Sequence, residues 1–181
     1  METDPVVLFE RAALAAASTI GRVRPNQLSS STPCTEWDVE ALVDHMFGGT
    51  SYLLAALEQS AGAARVDEAT YREAVERCVD ALRRPGALDG RCQSPLGFEW
   101  TVAEAAAGTF MDQLVHTWDL SVATGQDPRL DPELAEACVA MFLPHMPEMG
   151  RAGGIVGPEV VVPAGATAQD RLLGAMGRRP E

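Results

Sequence analysis

Three residues on one predicted helix carry donor atoms at turn spacing: Asp112, His116 and Asp119. Positions three and four apart share a face of a 3.6-residue turn, so these three form a single polar stripe. Met111, Leu114, Val115, Trp118 and Val122 lie beside the stripe and make an apolar face. Carboxylates and imidazoles at the margin of a buried surface are costly unless something satisfies them. A divalent cation would do so, and His45 on an earlier helix is the expected further ligand beside Asp112 and His116. Two imidazoles and one carboxylate leave coordination positions open, as in catalytic sites and unlike closed structural ones. Zinc suits these donors best; nickel, iron and manganese accept the same ligand types. Asp119, one turn beyond His116, is placed to hold a ring N–H from outside the ligand set. The competing reading is a set of surface acid–histidine pairs, each worth only tenths of a kcal/mol.

The helices that must position these groups are marked by their caps. Asp4-Pro5 starts a first helix that runs to about Ile20, closed by Gly21 and Pro25. Residues 24–34 read as a loop. Thr35, with Asp38 three residues on, predicts the start of a second helix reaching about Glu58. Leu42, Val43, Met46, Phe47, Leu53, Leu54 and Leu57 form its apolar arc, and His45 projects at the arc's edge. After a polar break at residues 60–67, a third helix spans about Glu68 to Arg84. Residues 87–100 suit a small hairpin or an ordered loop. Thr101-Val-Ala-Glu104 is a full capping box that launches the helix of the polar stripe, and Gly125 suits its end. A fifth helix begins at Asp131-Pro132 and stops at Pro144. Residues 147–166 wander, with a short extended piece at Val160-Val-Val162, and Thr167 caps a last short helix to about Met176. Four long antiparallel helices in one all-α domain, residues 1–181, are the default packing.

The formal net charge of −12 disfavours nucleic acid and anionic membranes as partners. No apolar run is long enough to span a bilayer, and the N-terminus lacks a secretory pattern, so a cytoplasmic protein is expected. Cys78 and Cys138 fall in apolar helical stripes and read as buried thiols. Cys34 and Cys92 sit in loops; a disulfide between them is geometrically open but not expected in the cytosol. His145, beside Pro144 at a helix end, reads as exposed or capping. Trp37, Trp100 and Trp118 read as core and loop anchors.

Two stretches carry a resemblance. Thr32-Pro-Cys-Thr-Glu-Trp-Asp-Val-Glu-Ala-Leu-Val-Asp-His45 resembles the opening motif of the mycothiol-dependent maleylpyruvate isomerase N-terminal family, within the DinB-like helical superfamily. Asp112-Gln-Leu-Val-His-Thr-Trp-Asp-Leu120 resembles its second motif. Thr124-Gly-Gln-Asp-Pro128 and the ending from Gln169 to Pro180 are similar to an actinobacterial metal-binding branch. The resemblance implies an all-α, DinB-like four-helix bundle with short extra helices. It also implies a divalent metal held by a histidine, an acidic residue and a second histidine, which carry over to His45, Asp112 and His116. Relatives of the isomerase carry Glu at the acidic position; Asp112 is one methylene shorter. The isomerase has a further C-terminal domain that contributes to its active site, so activity on maleylpyruvate is not expected of this chain.

The functional expectation is a metal-dependent transferase or isomerase that uses a low-molecular-weight thiol, by similarity mycothiol, on an unnamed small-molecule substrate. A coordinated thiol loses its proton near neutral pH and becomes a nucleophile. Its pocket is expected over the small residues Gly49, Ala105 and Gly108, with Tyr52 and Asp119 as polar contacts. The alternative is a non-catalytic module that binds metal or a small ligand. Pairing into a homodimer through an outer helix face fits either.

Overall fold

A computed structural model describes residues 3–57 and 66–180, which fall into two compact units divided at Pro128/Arg129. The expected ends of the second helix at Glu58 and most of the break at 60–67 lie outside the described residues. No helix among the described residues is long and apolar enough to cross a membrane.

The unit Asp4–Pro128 holds four long helices and a hairpin. Helix α1 (Pro5–Ile20) starts where the Asp4 carboxylate accepts the Val6 N–H at 2.9 Å, with proline at the first position. Helix α2 (Val39–Ala56) starts one turn later than its sequence suggested. Asp38 is itself the cap, accepting the Ala41 N–H at 2.9 Å, because residues 32–37 are held in a loop by their own hydrogen bonds. Helix α3 (Glu68–Leu82) is capped by Asp67. Strands β1 (Arg91–Gln93) and β2 (Glu99–Thr101) pair antiparallel, with Cys92 opposite Trp100. Helix α4 (Val102–Thr124) has the capping box read from its sequence. The Glu104 N–H donates to Thr101 Oγ1 at 3.1 Å, and the Thr101 N–H donates to Glu104 Oε2 at 2.7 Å. Gly125 ends it at φ +67, a left-handed position where glycine pays no Cβ penalty.

Contacts along the helices set their directions. Glu10 of α1 pairs with Arg83 just past α3, while Gly21 abuts Glu68 at the start of α3, so those two run antiparallel. His45 and Tyr52 of α2 meet Asp112 and Trp100 respectively, which makes α2 antiparallel to α4. At the α1 end, Gln126 Nε2 donates to Thr19 O, bringing the C-termini of α1 and α4 together. Ile20, Val43 and Glu68 line one groove of about 570 Å³, so α2 and α3 start at the same end. The bundle is therefore up-down-down-up, and the expectation of antiparallel neighbours throughout fails for α1–α4 and α2–α3.

Helix α4 is the centre of this unit. It is buried on nearly all sides, including the polar Gln113, His116, Thr117 and Asp119. It reaches solvent at Glu104 in its first turn, in part at Asp112, and in its last turn at Val122, which was assigned to the apolar face. A helix so placed must satisfy its polar groups inside. Thr109, Thr117 and Thr124 each donate to the carbonyl four residues earlier. Gln113 joins three helices: its amide donates to Met46 O of α2 at 2.7 Å and accepts from the Tyr71 hydroxyl of α3.

The second unit, from Arg129 on, holds α5 (Pro132–Phe142), α6 (Met146–Ala152) and α7 (Ala168–Ala175). Helix α5 packs against α7, and the Leu130 N–H donates to Gln169 Oε1 at 2.8 Å. Helix α6 falls in a stretch read as irregular; its Pro147 sits in the first turn, where proline is tolerated, and His145 precedes it, exposed and without a side-chain cap bond. The extended piece at Val160-Val-Val162 forms no strand. It lies against α7 instead, the Val160 N–H donating to Gly174 O, and a Cβ at Gly174 would come within 2.5 Å of Val160 O.

Candidate metal centre

The loop before α2, the edge of α2 and the middle of α4 converge on His116. On one side, its Nε2 lies 3.3 Å from Asp112 Oδ1, and His45 Nε2 lies 3.3 Å from the same oxygen. The three donor atoms lie within 4.8 Å of one another. On the other side, Nδ1 lies 2.9 Å from Asp119 Oδ2. Cys34 Sγ donates to that carboxylate oxygen at 3.4 Å and stands 3.9 Å from Nδ1.

Burial is graded across the cluster. The side chains of His45 and Asp112 are 37% and 32% exposed, that of His116 is 9% exposed, and that of Asp119 is fully buried. The centre thus opens to solvent at His45 and Asp112 and is anchored at Asp119. A buried carboxylate beside Nδ1 favours a proton on that nitrogen and leaves the lone pair of neutral His116 on Nε2, facing Asp112 and His45.

The donor set fits a small divalent cation. Ligands ~2.1 Å from a shared tetrahedral centre lie ~3.4 Å apart, and the two 3.3 Å separations at Asp112 Oδ1 match that spacing. They are long for charge-assisted hydrogen bonds, which run ~2.7–2.9 Å. Without a cation, the same groups must share protons. Burial opposes the charge on Asp112, but His116 and the hydrogen bonds from both imidazoles outweigh it and hold the carboxyl well below its usual range. For His116, burial favours the neutral ring, but Asp112, Asp119 and Cys34 outweigh it and raise its pKa well above the ordinary imidazole value.

Trp37 covers both rings. Its indole centroid lies 4.4 Å from that of His45 and 5.7 Å from that of His116. The loop presenting it is fixed by Thr32, whose hydroxyl accepts the Cys34 N–H at 3.1 Å and donates to Trp37 O at 2.9 Å. Neither Cys34 nor Trp37 was assigned to the site by spacing. They precede His45 by eleven and eight residues in a non-helical segment, so no helical period connects them to it. Only their membership of one dense loop motif hinted at it.

Two expected pocket features are placed differently. Tyr52 makes its polar contacts with the hairpin: its hydroxyl accepts from Trp100 Nε1 at 2.7 Å and donates to Gln93 O at 2.7 Å, with Cys92 Sγ at 3.3 Å. Burial raises its pKa to about 12. The space over Gly108 is taken by the Trp100 indole, which a Cβ would meet at 2.9 Å, and Ala105 is fully buried. Gly49 does border the cluster. A Cβ there would lie 3.1 Å from Gln113 Nε2 and 3.6 Å from Asp112 Oδ2, so its absence lets α2 approach α4. No cysteine is joined in a disulfide: Cys34 lies beside Asp119 and Cys92 beside Tyr52, while burial pushes Cys78 up to about 12 and raises Cys138 as well.

Residues 9–91 match the family of the mycothiol maleylpyruvate isomerase N-terminal domain, a span that includes His45 and ends before Asp112 and His116. Two uncharacterized proteins of Mycobacterium tuberculosis, from two strains, are each 31% identical to this chain over 176 residues. They cover 93% of it, and the match covers 88% of their own length. No solved structure matches. The match over α1 to α3 and the similarity to these relatives over most of both chains agree: the chain belongs to the mycothiol maleylpyruvate isomerase N-terminal domain family.

Proposed function

We propose that this chain binds a divalent cation, zinc by ligand type, through His45, Asp112 and His116, and that it transfers or isomerises a small substrate with a low-molecular-weight thiol. The observation that carries the reading is the single oxygen, Asp112 Oδ1, standing 3.3 Å from one nitrogen of each histidine. When bound, a divalent ion with an open position lowers the pKa of a thiol brought against it and holds the sulfur as a nucleophile. The chain's own groups divide the remaining work. Asp112 supplies the negative charge that offsets the cation, and Asp119 fixes the His116 tautomer and ring plane. Trp37 walls one side of both imidazoles and limits water there. The half-exposed edge at His45 and Asp112 is the side from which a thiol can enter. Mycothiol is the thiol the family description names.

Elemental analysis of purified protein and a cobalt-substituted absorption spectrum test the metal. Addition of mycothiol, or of a simple thiol as a probe, should shift the cobalt bands. An unchanged spectrum at saturating thiol defeats the catalytic part of this reading.

A second reading, a non-catalytic binding module, is favoured by one observation. Among the described residues no arginine forms an ion pair with Asp112, and the chain contains no lysine, so no arginine or lysine is held at the site to meet an anionic substrate. Metal binding without any response to thiol supports this second reading.

A further inference from the structure

His116 presents its two ring nitrogens to two different donor sets. The Nε2 side is the His45–Asp112 set. The Nδ1 side holds Cys34 Sγ and Asp119 Oδ2, again with all three donor atoms within 4.8 Å of one another. The two sets differ in chemistry. A sulfur replaces the second imidazole, which shifts preference from borderline ions toward soft, thiophilic ones. They also differ in setting. Asp119 is fully buried, whereas Cys34 is only half-buried and so can be reached from outside. Cys34 is not a loose side chain, since its backbone N–H and the following Trp37 carbonyl are both tied to the Thr32 hydroxyl.

We infer that Cys34, His116 Nδ1 and Asp119 form a second metal site, selective for a thiophilic cation, and that its occupation withdraws His116 from the His45–Asp112 set. A neutral imidazole has one lone pair to give. With the proton on Nδ1 it serves the His45–Asp112 side; with the proton on Nε2 it serves the Cys34–Asp119 side. Binding of a soft ion forms the metal–sulfur bond as the Cys34 thiol proton leaves to solvent, and the Nδ1 proton moves to Nε2 of the neutral ring or, from the charged ring, leaves to solvent. No electron is transferred. The two sites are therefore alternatives on one pivot residue, and a thiophilic ion acts as an antagonist of the first site. The second site needs only the Nδ1 side of the ring; its antagonism of the first site rests on the metal site proposed above.

Cadmium is the probe, added to the metal-free full-length chain. A cadmium–thiolate charge-transfer band in the ultraviolet is expected in the natural sequence and in His45→Ala and Cys92→Ser, and is expected to vanish in Cys34→Ser. A readout without mutation is alkylation: one equivalent of cadmium should protect Cys34, and not Cys92, from iodoacetamide, as located by mass spectrometry. In cobalt-loaded protein, one equivalent of cadmium should remove the cobalt d–d bands, and Cys34→Ser should require at least tenfold more. Persistence of the sulfur band in Cys34→Ser, its loss in His45→Ala, or equal alkylation of Cys34 with and without cadmium overturns the inference. Absence of cobalt binding with the cadmium–sulfur band intact would defeat the function proposed above and leave the second site standing; the converse result would do the opposite.

Discussion

On the α1 side of the bundle, an alanine-rich face enters the core: Ala12, Ala13, Ala16 and Ala17 are fully buried, as are Leu8 and Phe9. On the α2 side, beside the buried Leu42, Met46, Leu53 and Leu54, the same central helix α4 meets Gly49, His45 and the carbonyl of Met46 through polar atoms. Both seams use small residues to let helices approach. In the first, closeness buries methyl groups, which stabilises at about 25 cal/mol per Å² of apolar surface. In the second, closeness brings donors within reach of one another, and buried polar atoms gain little unless every one is paired. The α1 seam therefore holds the fold, and the α2 seam spends its proximity on chemistry.

If that division is right, damage to one seam leaves the other's property intact. Phe9→Ala should destabilise the metal-free chain by about 3–5 kcal/mol in denaturant unfolding. The cobalt spectrum of the folded fraction should stay unchanged; a shifted spectrum would show that the seams are coupled. Asp119→Asn should weaken metal binding roughly 10–100-fold, because the His116 tautomer and ring plane lose their anchor. Chelator competition measures this, and an unaltered affinity breaks the proposed role of Asp119.

Proton competition gives a further separation. Below the raised pKa of His116, an entering ion must displace a ring proton, so affinity should rise about tenfold for each unit of pH increase. The metal-free fold should respond with the opposite sign. The charged ring between Asp112 and Asp119 stabilises it fully below the ordinary imidazole value of 6.5, and this is lost as pH climbs through the raised value. The lowered carboxyl of Asp112 acts at the other end: its contribution is present above 3.8 and disappears as pH falls below it. Thermal melts of metal-free and loaded protein across pH check both. The smallest effect is expected at Trp37→Ala. Loss of the ring stacked on His45, worth about 0.5–1.5 kcal/mol, should weaken metal binding by roughly 2–12-fold with little change in melting temperature, and Trp37→Phe should restore part of it.

Helix caps and the helical period made most of this architecture legible. The capping box at Thr101 and Glu104 and the spacing of Asp112, His116 and Asp119 are local properties, and local properties survive folding. So does the edge position of His45. What the period could not supply is anything carried by irregular backbone. Cys34 and Trp37 reach the cluster because Thr32 folds the loop back on itself, and that loop also moved the start of α2 from Thr35 to Asp38. Relative helix direction was equally hidden: patterning gives each helix its buried face, but not which end of a neighbour it starts from. Gln113 shows a third kind of blindness. Nothing in its residue type or spacing singles it out, and only the crossing of three helices makes it a hub between Met46 and Tyr71.

His45 and Asp112 are 67 positions apart along the chain. Any ion that grips both is a clip closing a long loop, comparable in topology to a disulfide across the same span, for which the chain-entropy model gives about 4 kcal/mol. Loading would then do more than equip the protein for chemistry: it would slow the parting of α2 from α4, and the amides along those two helices would exchange with deuterium later than those of α3.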